Sequence, residues 1–192
     1  MKVIKWTFCI CLLAACGLLC QSIAAVNREY PKLPARQVSF GESGELQEGV
    51  TMRVEAVRWR TMDEARAAYG QEFAGQMEEG DIYRIVEAEV GLENKSGQEQ
   101  NIVLYDIYLE KGAYCQGIAP EVFGCANSSP QMIFTLKGHE KRRAVLGYVL
   151  YEFQFQKKQW EKIEQLGFCL ADTKYPVKTE WSMAGSMTMP YE

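Results

Sequence analysis

The residues able to do chemistry in this 192-residue chain are few and scattered. There is one histidine, His139, so a Ser-His-Asp or Cys-His device would have to use it. It sits in Lys137-Gly138-His139-Glu140, a glycine-containing turn between charged residues where a solvated side chain is expected. Cys115, Cys125 and Cys169 are the cysteines of the main body, and nothing around them supports a nucleophile paired with His139. Cys115 and Cys125 enclose a short segment, Gln116–Gly124, that holds Gly117, Pro120 and Gly124, and they are the candidate disulfide pair. Cys169 lies in an apolar strand-like run and reads as a buried free thiol. Carboxylates cluster at Glu78, Glu79 and Asp81 and again at Glu87 and Glu89. The first group lacks the spacing of a calcium loop and reads as an acidic surface loop. The second alternates along one strand, so it reads as a solvated face and not as a glycosidase pair across a cleft. Met183, Met187 and Met189 could offer thioethers to Cu(I), but Met183 fits a strand core position. No phosphate loop or dinucleotide fingerprint is present. The expectation is therefore no catalytic residue, no cofactor and no metal.

Two other groups could bind. Arg58-Trp59-Arg60 and Lys141-Arg142-Arg143 are basic clusters; the latter could meet anionic lipid or wall polymer, with a solvated strand end the favoured reading. Tyr105, Tyr108 and Tyr114 lie near the Cys115–Cys125 loop and form the candidate recognition surface, with core and edge packing of Tyr105 and Tyr108 as the competing reading.

The elements that must position these residues begin with a targeting segment. Residues 1–26 hold Lys2 and Lys5 and no acid, a charge of +2. With -4 overall, residues 27–192 carry -6. Trp6–Val26 is an uncharged stretch long enough, at about 1.5 Å per residue, to span a hydrocarbon core. Its basic flank places the bulk of the chain outside. A signal anchor is favoured over a lipoprotein signal, which would modify Cys16 in Leu13-Ala14-Ala15-Cys16-Gly17. A secretory peptide cut after Ser22-Ile23-Ala24 ranks third. Cys9, Cys11, Cys16 and Cys20 belong to this segment. Its partner is the membrane. An acidic body argues against nucleic acid.

Asn27–Arg36, with two prolines, reads as an extended tether, and residues 184–192 as a frayed tail. Between them, 37–183 should form one domain. Strands are expected at Gln37–Phe40, Thr51–Arg60, Ile82–Glu93, Asn101–Leu109, Gln131–Leu136, Arg143–Tyr151, Phe168–Ala171 and Val177–Met183. In Thr51–Arg60 the apolar phase shifts from Met52, Val54 and Ala56 to Val57 and Trp59, which predicts a bulge. Thr61-Met62-Asp63-Glu64 is a capping box opening a short helix that Gly70 should close, followed by a loop to Gly80. Gln156–Leu166 is the second helix. Asn101–Leu109, apolar on both faces, should be a central strand, and Lys111–Pro130 irregular. Short strands without βαβ alternation make the fold mainly β, an antiparallel β-sandwich of about seven or eight strands.

The order of these features carries a resemblance. Asn27-Arg28-Glu29-Tyr30-Pro31 follows the apolar segment, and a strand runs into Glu93-Asn94-Lys95-Ser96. Phe134–Glu140 precedes an apolar strand, and a Trp-containing helix leads to Phe168-Cys169-Leu170 and Tyr175-Pro176-Val177-Lys178. Over residues 27–183 the chain resembles the telokin-like, immunoglobulin-fold extracellular domains of Gram-positive membrane-anchored proteins and lipoproteins of unknown function. That resemblance implies a fold and a location outside the membrane, and no catalytic residue. The expected function is a non-catalytic cell-surface binding module tethered to the outer face of the membrane, its partner a protein or envelope component. An inhibitor or regulatory partner of an extracytoplasmic protease or receptor, presenting Lys111–Pro130, is the alternative. A cysteine- or metal-dependent hydrolase is the third reading.

Overall fold

The computed structural model describes residues 2–29, 34–74, 80, 82–173 and 177–184. The chain divides into two compact units, 1–34 and 35–192. The first is a single helix, α1 (Lys2–Glu29). It runs on through Asn27, Arg28 and Glu29, where an extended tether was expected, and it carries polar Gln21 and Ser22 within the apolar run. Among the described residues no helix is long and apolar enough to cross a membrane, so the spanning helix expected over Trp6–Val26 is without support there. Cys16 and Cys20 are exposed on it.

The second unit is mainly β, sandwich-like, with a few short helices. One sheet has the order β1 (Ala35–Val38), β11 (Lys178–Ser182), β10 (Cys169–Asp172), β6 (Ile107–Lys111), β7 (Tyr114–Gln116). Its pairings are antiparallel except β1 with β11, which is parallel in the register Ala35↔Lys178 to Val38↔Trp181. The second sheet runs β2 (Ser43–Gln47), β3 (Val50–Arg60), β4 (Tyr83–Asn94), β9 (Lys141–Tyr151), all antiparallel. A short pair, β5 (Gln100–Val103) with β8 (Ile133–Leu136), completes the strands.

Alternation explains the core. Met52, Val54, Val57, Val86, Ala88, Val90, Leu92, Leu146, Tyr148 and Leu150 point inward from the second sheet onto Leu109, Leu170 and Trp181 of the first. The expected bulge is present but lies earlier than the phase shift at Val57 placed it, between Val54 and Ala56, so Ala56 shares the outer face with Glu89 instead of following Met52 and Val54 inward. Glu55 is the extra residue, so Val54 pairs with Val90 while Ala56 pairs with Glu89.

Four expectations needed correcting. Between the strands expected at Gln37–Phe40 and Thr51–Arg60 lies a further one, Ser43–Gln47 (β2), with Gly44 packed against Val38 and Trp181. Asn101–Leu109 is not one strand. It breaks at Leu104–Asp106, and its halves pair in different sheets. Lys111–Pro130 is not irregular throughout: it contains β7 and α3 (Pro120–Ala126). Gln156–Leu166 resolves into α4 (Lys157–Trp160) and a 3-10 turn at Ile163–Gln165.

The helix after Thr61 opens on the expected capping box. The Thr61 amide donates to Glu64 at 2.7 Å, and the Glu64 amide donates to Thr61 Oγ1 at 3.2 Å. Yet Gly70 kinks the helix instead of ending it, with φ 81° and ψ -175°, a conformation that favours glycine. α2 (Met62–Ala74) therefore continues and delivers Phe73 to a second, smaller core with Ala65, Tyr83, Ile85, Val122 and Val149. This core lies on the outer face of the second sheet, under α2 and α3.

Candidate functional site: a charged cavity beneath two helices

The outer face of β3, β4 and β9 carries a ladder of charge. Rung by rung, Arg53 and Arg143 flank Gly91, Ala56 and Val145 flank Glu89, Arg58 and Gly147 flank Glu87, and Arg60 and Val149 flank Ile85. The basic clusters around Trp59 and Arg142 are thus halves of one face. Arg143 Nε meets Glu55 at 2.9 Å, Lys141 meets Glu93 at 3.1 Å, and Arg53 pairs with Glu55. A Cβ at Gly91 would come within 2.5 Å of the Glu55 carboxylate, so the bulge residue needs that glycine.

Where α2 and α3 cover the ladder, its chemistry changes. Glu87 is buried, 7% exposed, and not part of the solvated face expected for it. The reason is the two helices packed over that half of β4. Its carboxylate accepts from Arg60 Nε, from Arg60 Nη2 at 3.3 Å and from the Tyr69 hydroxyl. Arg60 also lies over the Tyr69 ring, 5.6 Å from its centroid. Burial raises the Tyr69 phenol pKa well above its ordinary value, and the bond to Glu87 adds to that. Burial works against the Arg60 cation, but Glu87 outweighs it and holds the guanidinium charged. A buried carboxylate with a guanidinium and a hydroxyl on it is satisfied and rigid.

Beside this triad opens a cavity of about 160 Å³ lined by Ala56, Arg58, Arg60, Tyr69, Glu87, Glu89, Ala126 and Val145. Two of its charges are loosely held. Arg58 Nη1 is 3.9 Å from Glu87, whose oxygens are already occupied, and Glu89 is 3.7 Å from Arg143 Nη1. Neither is within hydrogen-bond distance. The floor and one wall, Ala56, Val145 and Ala126, are apolar.

The residues singled out from the sequence do not converge here. Tyr105 is exposed in a turn. Tyr108 lies on the outer face of β6. Tyr114 stands on the other face of that sheet and packs on Phe155 and Phe168 at 4.8 and 5.8 Å. The three are therefore not one surface. Cys115 and Cys125 are free and exposed, so the expected bridge is not formed. Cys115 occupies β7 in register with Glu110, whereas Cys125 rides on α3, whose Val122 and Phe123 are buried. Cys169 is half-buried opposite Glu110 from the other side, and burial lifts its thiol to about 11. Burial also raises Cys115. A raised thiol pKa makes a poor nucleophile at neutral pH. His139 is exposed, in a left-handed turn at φ 62°, its amide donating to the Ser96 carbonyl. Glu78, Glu79, Asp81, Met187 and Met189 lie outside the described residues, and Met183 is a buried core side chain. Among the described residues no group of three metal-ligating side chains comes together.

The residues that do converge left a faint trace in the sequence. Arg58 and Arg60 straddle core Trp59 at the same two-residue spacing with which Glu87 and Glu89 straddle core Ala88. Two complementary alternating pairs on adjacent strands form such a ladder when the register aligns them.

Fold and face together define a class: a two-sheet sandwich with a helix-covered, charge-lined cavity on one outer face. The chain belongs to the DUF5028 family, a domain of unknown function, whose model matches residues 34–179. No curated protein is detectably similar to it in sequence. Solved structures of similar fold include the yjhA protein from Bacillus subtilis, at 15% identity and TM-score 0.45 over 76% of this chain and 98% of that one. An uncharacterized β-sandwich protein from Clostridium difficile 630 shows 11% identity and TM-score 0.45 over 79% and 96%. A functionally unknown protein from Listeria monocytogenes EGD-e shows 9% identity and TM-score 0.41 over 67% and 68%.

Proposed function

We propose that the chain is an exported, non-catalytic binding module, held at the outer face of the membrane by its N-terminal segment, and that it binds its ligand in the Arg58–Glu89 cavity. The observation that carries this reading is the pair of loosely engaged opposite charges lining one cavity against a rigid Arg60–Glu87–Tyr69 wall. Scaffold ion pairs elsewhere on the face are tighter. The uncharged stretch Trp6–Val26 after Lys2 and Lys5 supports export and tethering, whether as a signal anchor or through a lipid on Cys16. The two packed sheets agree with a telokin-like, immunoglobulin-fold envelope domain of the Gram-positive kind.

The inhibitor reading draws less support. It asks Lys111–Pro130 to be a presented loop, yet α3 packs on β9, and Asn127 bonds the Val145 backbone in both directions. The hydrolase reading would need His139 beside a cysteine or carboxylate cluster, and His139 stands in an exposed turn.

Photo-crosslinking in the cells of origin tests the site. A photoreactive residue at Ala126, inside the cavity, should give a specific adduct, and the same residue at exposed Lys158 should not. Equal labelling, or none at Ala126, would remove the site. Mass spectrometry of the mature N-terminus tests the tether, with an intact Met1 or a lipidated Cys16 expected. A free N-terminus near Ala25 would sink it.

A further inference from the structure

Resting on the binding-module reading, we infer that the cavity takes a small zwitterion, one carboxylate and one ammonium a few ångströms apart on a compact apolar body. A free α-amino acid or a dipeptide, whose two termini are one residue apart, fits that description.

The charge inventory leads there. The cavity wall holds two guanidiniums, Arg58 and Arg60, and two carboxylates, Glu87 and Glu89. Arg60 and Glu87 neutralise each other and are further tied by Tyr69. That leaves one cation and one anion with capacity to spare. Among the described residues the charged partner of Arg58 is the distant Glu87 at 3.9 Å and that of Glu89 the distant Arg143 at 3.7 Å, whose own nearer partner is Glu55 at 2.9 Å. The register sets them on adjacent rungs and adjacent strands, since Ala56 faces Glu89 and Arg58 faces Glu87. Arg58 and Glu89 therefore stand diagonally across one strand pair, a separation of about 7–8 Å between backbones. The α-carboxylate and α-ammonium of an amino acid fit between two such groups.

Simpler ligands meet opposition. A lone anion on Arg58 would lie beside Glu87 and Glu89, and a lone cation on Glu89 beside Arg58 and Arg60. Each would bring a like charge into a partly desolvated space. A neutral apolar molecule would bury the guanidinium and carboxylate without replacing their water. A zwitterion satisfies both, and charge-assisted hydrogen bonds to a planar guanidinium are the strong kind. Size agrees: about 160 Å³ is the scale of a space that holds a benzene-sized molecule. Ala56, Ala126 and Val145 supply the apolar contact for a small side group. Arg58 is half-exposed at the rim, with 34% of its side chain accessible, and Glu89 lies deeper at 19%. The ammonium thus enters first and the carboxylate stays nearer the mouth. In that orientation a peptide is held by its N-terminal residue only if its carboxylate is within one residue, so length becomes a measurable selector.

The test is calorimetric titration of the full chain in detergent micelles with a matched set built on alanine. Free alanine, N-acetylalanine, alanine amide, dialanine and trialanine form the set, with acetate and methylammonium beside them. Free alanine or dialanine should bind. N-acetylalanine and alanine amide, each lacking one charge, should bind at least about tenfold more weakly. Arg58→Gln should weaken the zwitterion about tenfold or more while relaxing discrimination against alanine amide, and Glu89→Gln should do the converse with N-acetylalanine. Alanine ahead of dialanine assigns a free amino acid, and the reverse order a dipeptide. Equal binding of the blocked and free forms would overturn the zwitterion while leaving the cavity as the site. So would binding of acetate or methylammonium alone, provided Arg58→Gln or Glu89→Gln still abolished it. Binding that neither substitution changes would overturn both inference and site.

Discussion

Trp181 and Met52, 129 residues apart, join the two sheets: the indole Nε1 of Trp181 donates to the Met52 carbonyl oxygen at 3.0 Å in the centre of the core. Both residues are fully buried. A Cβ on Gly44 would come within 2.7 Å of that nitrogen, so the opposing strand has been pared back to admit the ring. Trp181→Phe keeps an aromatic body but removes the donor and leaves a void. We expect a loss of about 3 kcal/mol, read as a lower urea midpoint at unchanged slope. A loss under about 0.5 kcal/mol would mean the indole is not a keystone.

Glu87 should behave as a structural carboxylate. Glu87→Ala strands the Arg60 cation, 13% exposed, beneath α2 and should cost about 3 kcal/mol. Tyr69→Phe removes one donor among several and should cost about 1 kcal/mol. Chemical denaturation of both variants checks the ranking. If Tyr69→Phe proved the worse, the account of the triad would be wrong.

Asn127 guards an edge. Strand β9 has no strand beyond it in its sheet. Asn127 Nδ2 donates to the Val145 carbonyl at 2.9 Å, its Oδ1 accepts from the Val145 amide at 2.9 Å, and the Ala119 amide donates to the Gly147 carbonyl. A side-chain amide here imitates a neighbouring strand. Asn127→Ala should cost about 2 kcal/mol and leave the Val145 amide and carbonyl unpaired at the edge, so the variant should self-associate more on sizing columns. A monodisperse variant of native stability would refute the role.

Alkaline pH should destabilise the fold through its phenols and a thiol. Burial raises Tyr83 and Tyr148, as it does Tyr69 and Tyr114. Groups whose folded pKa is raised stabilise the fold below their unfolded pKa, and that contribution is lost as pH climbs through the folded value. Cys169 adds a window between about 9 and about 11. Absorbance titration of the native chain should thus show fewer than its ten tyrosines ionising near pH 10, the rest appearing with unfolding. Ionisation of all ten in one early step would contradict the burial described.

Much of this was legible from residue patterns, and the exceptions have physical causes. The β3 bulge showed because its flanking apolar residues change phase. The capping box showed because it is local chemistry. Asn101–Leu109 misled because it is apolar throughout. In hindsight its buried positions switch from Ile102 and Leu104 to Ile107 and Leu109, even to odd, which marks the break between sheets. Glu87 could not be told from Glu89 by alternation, since what separates them is helical cover from residues 20 before and 35 after. Asn94 is similar. It is wholly buried in the second sheet, and its amide donates to the Gln98, Leu136 and Lys137 carbonyls at 2.7 to 3.1 Å, holding two distant turns together. Nothing local announces that.

The parallel pairing of β1 with β11 has a mechanical meaning. β1 is the first strand after the N-terminal segment, and β11 is the last of the described strands. Because they run the same way, a pull between the two ends of the domain acts along both strands in opposite senses. The backbone bonds from Ala35↔Lys178 to Val38↔Trp181 are then loaded together in shear, not peeled one at a time. A load between the two ends would meet this clamp first, and Trp181, at its last rung, would carry the strain directly into the core.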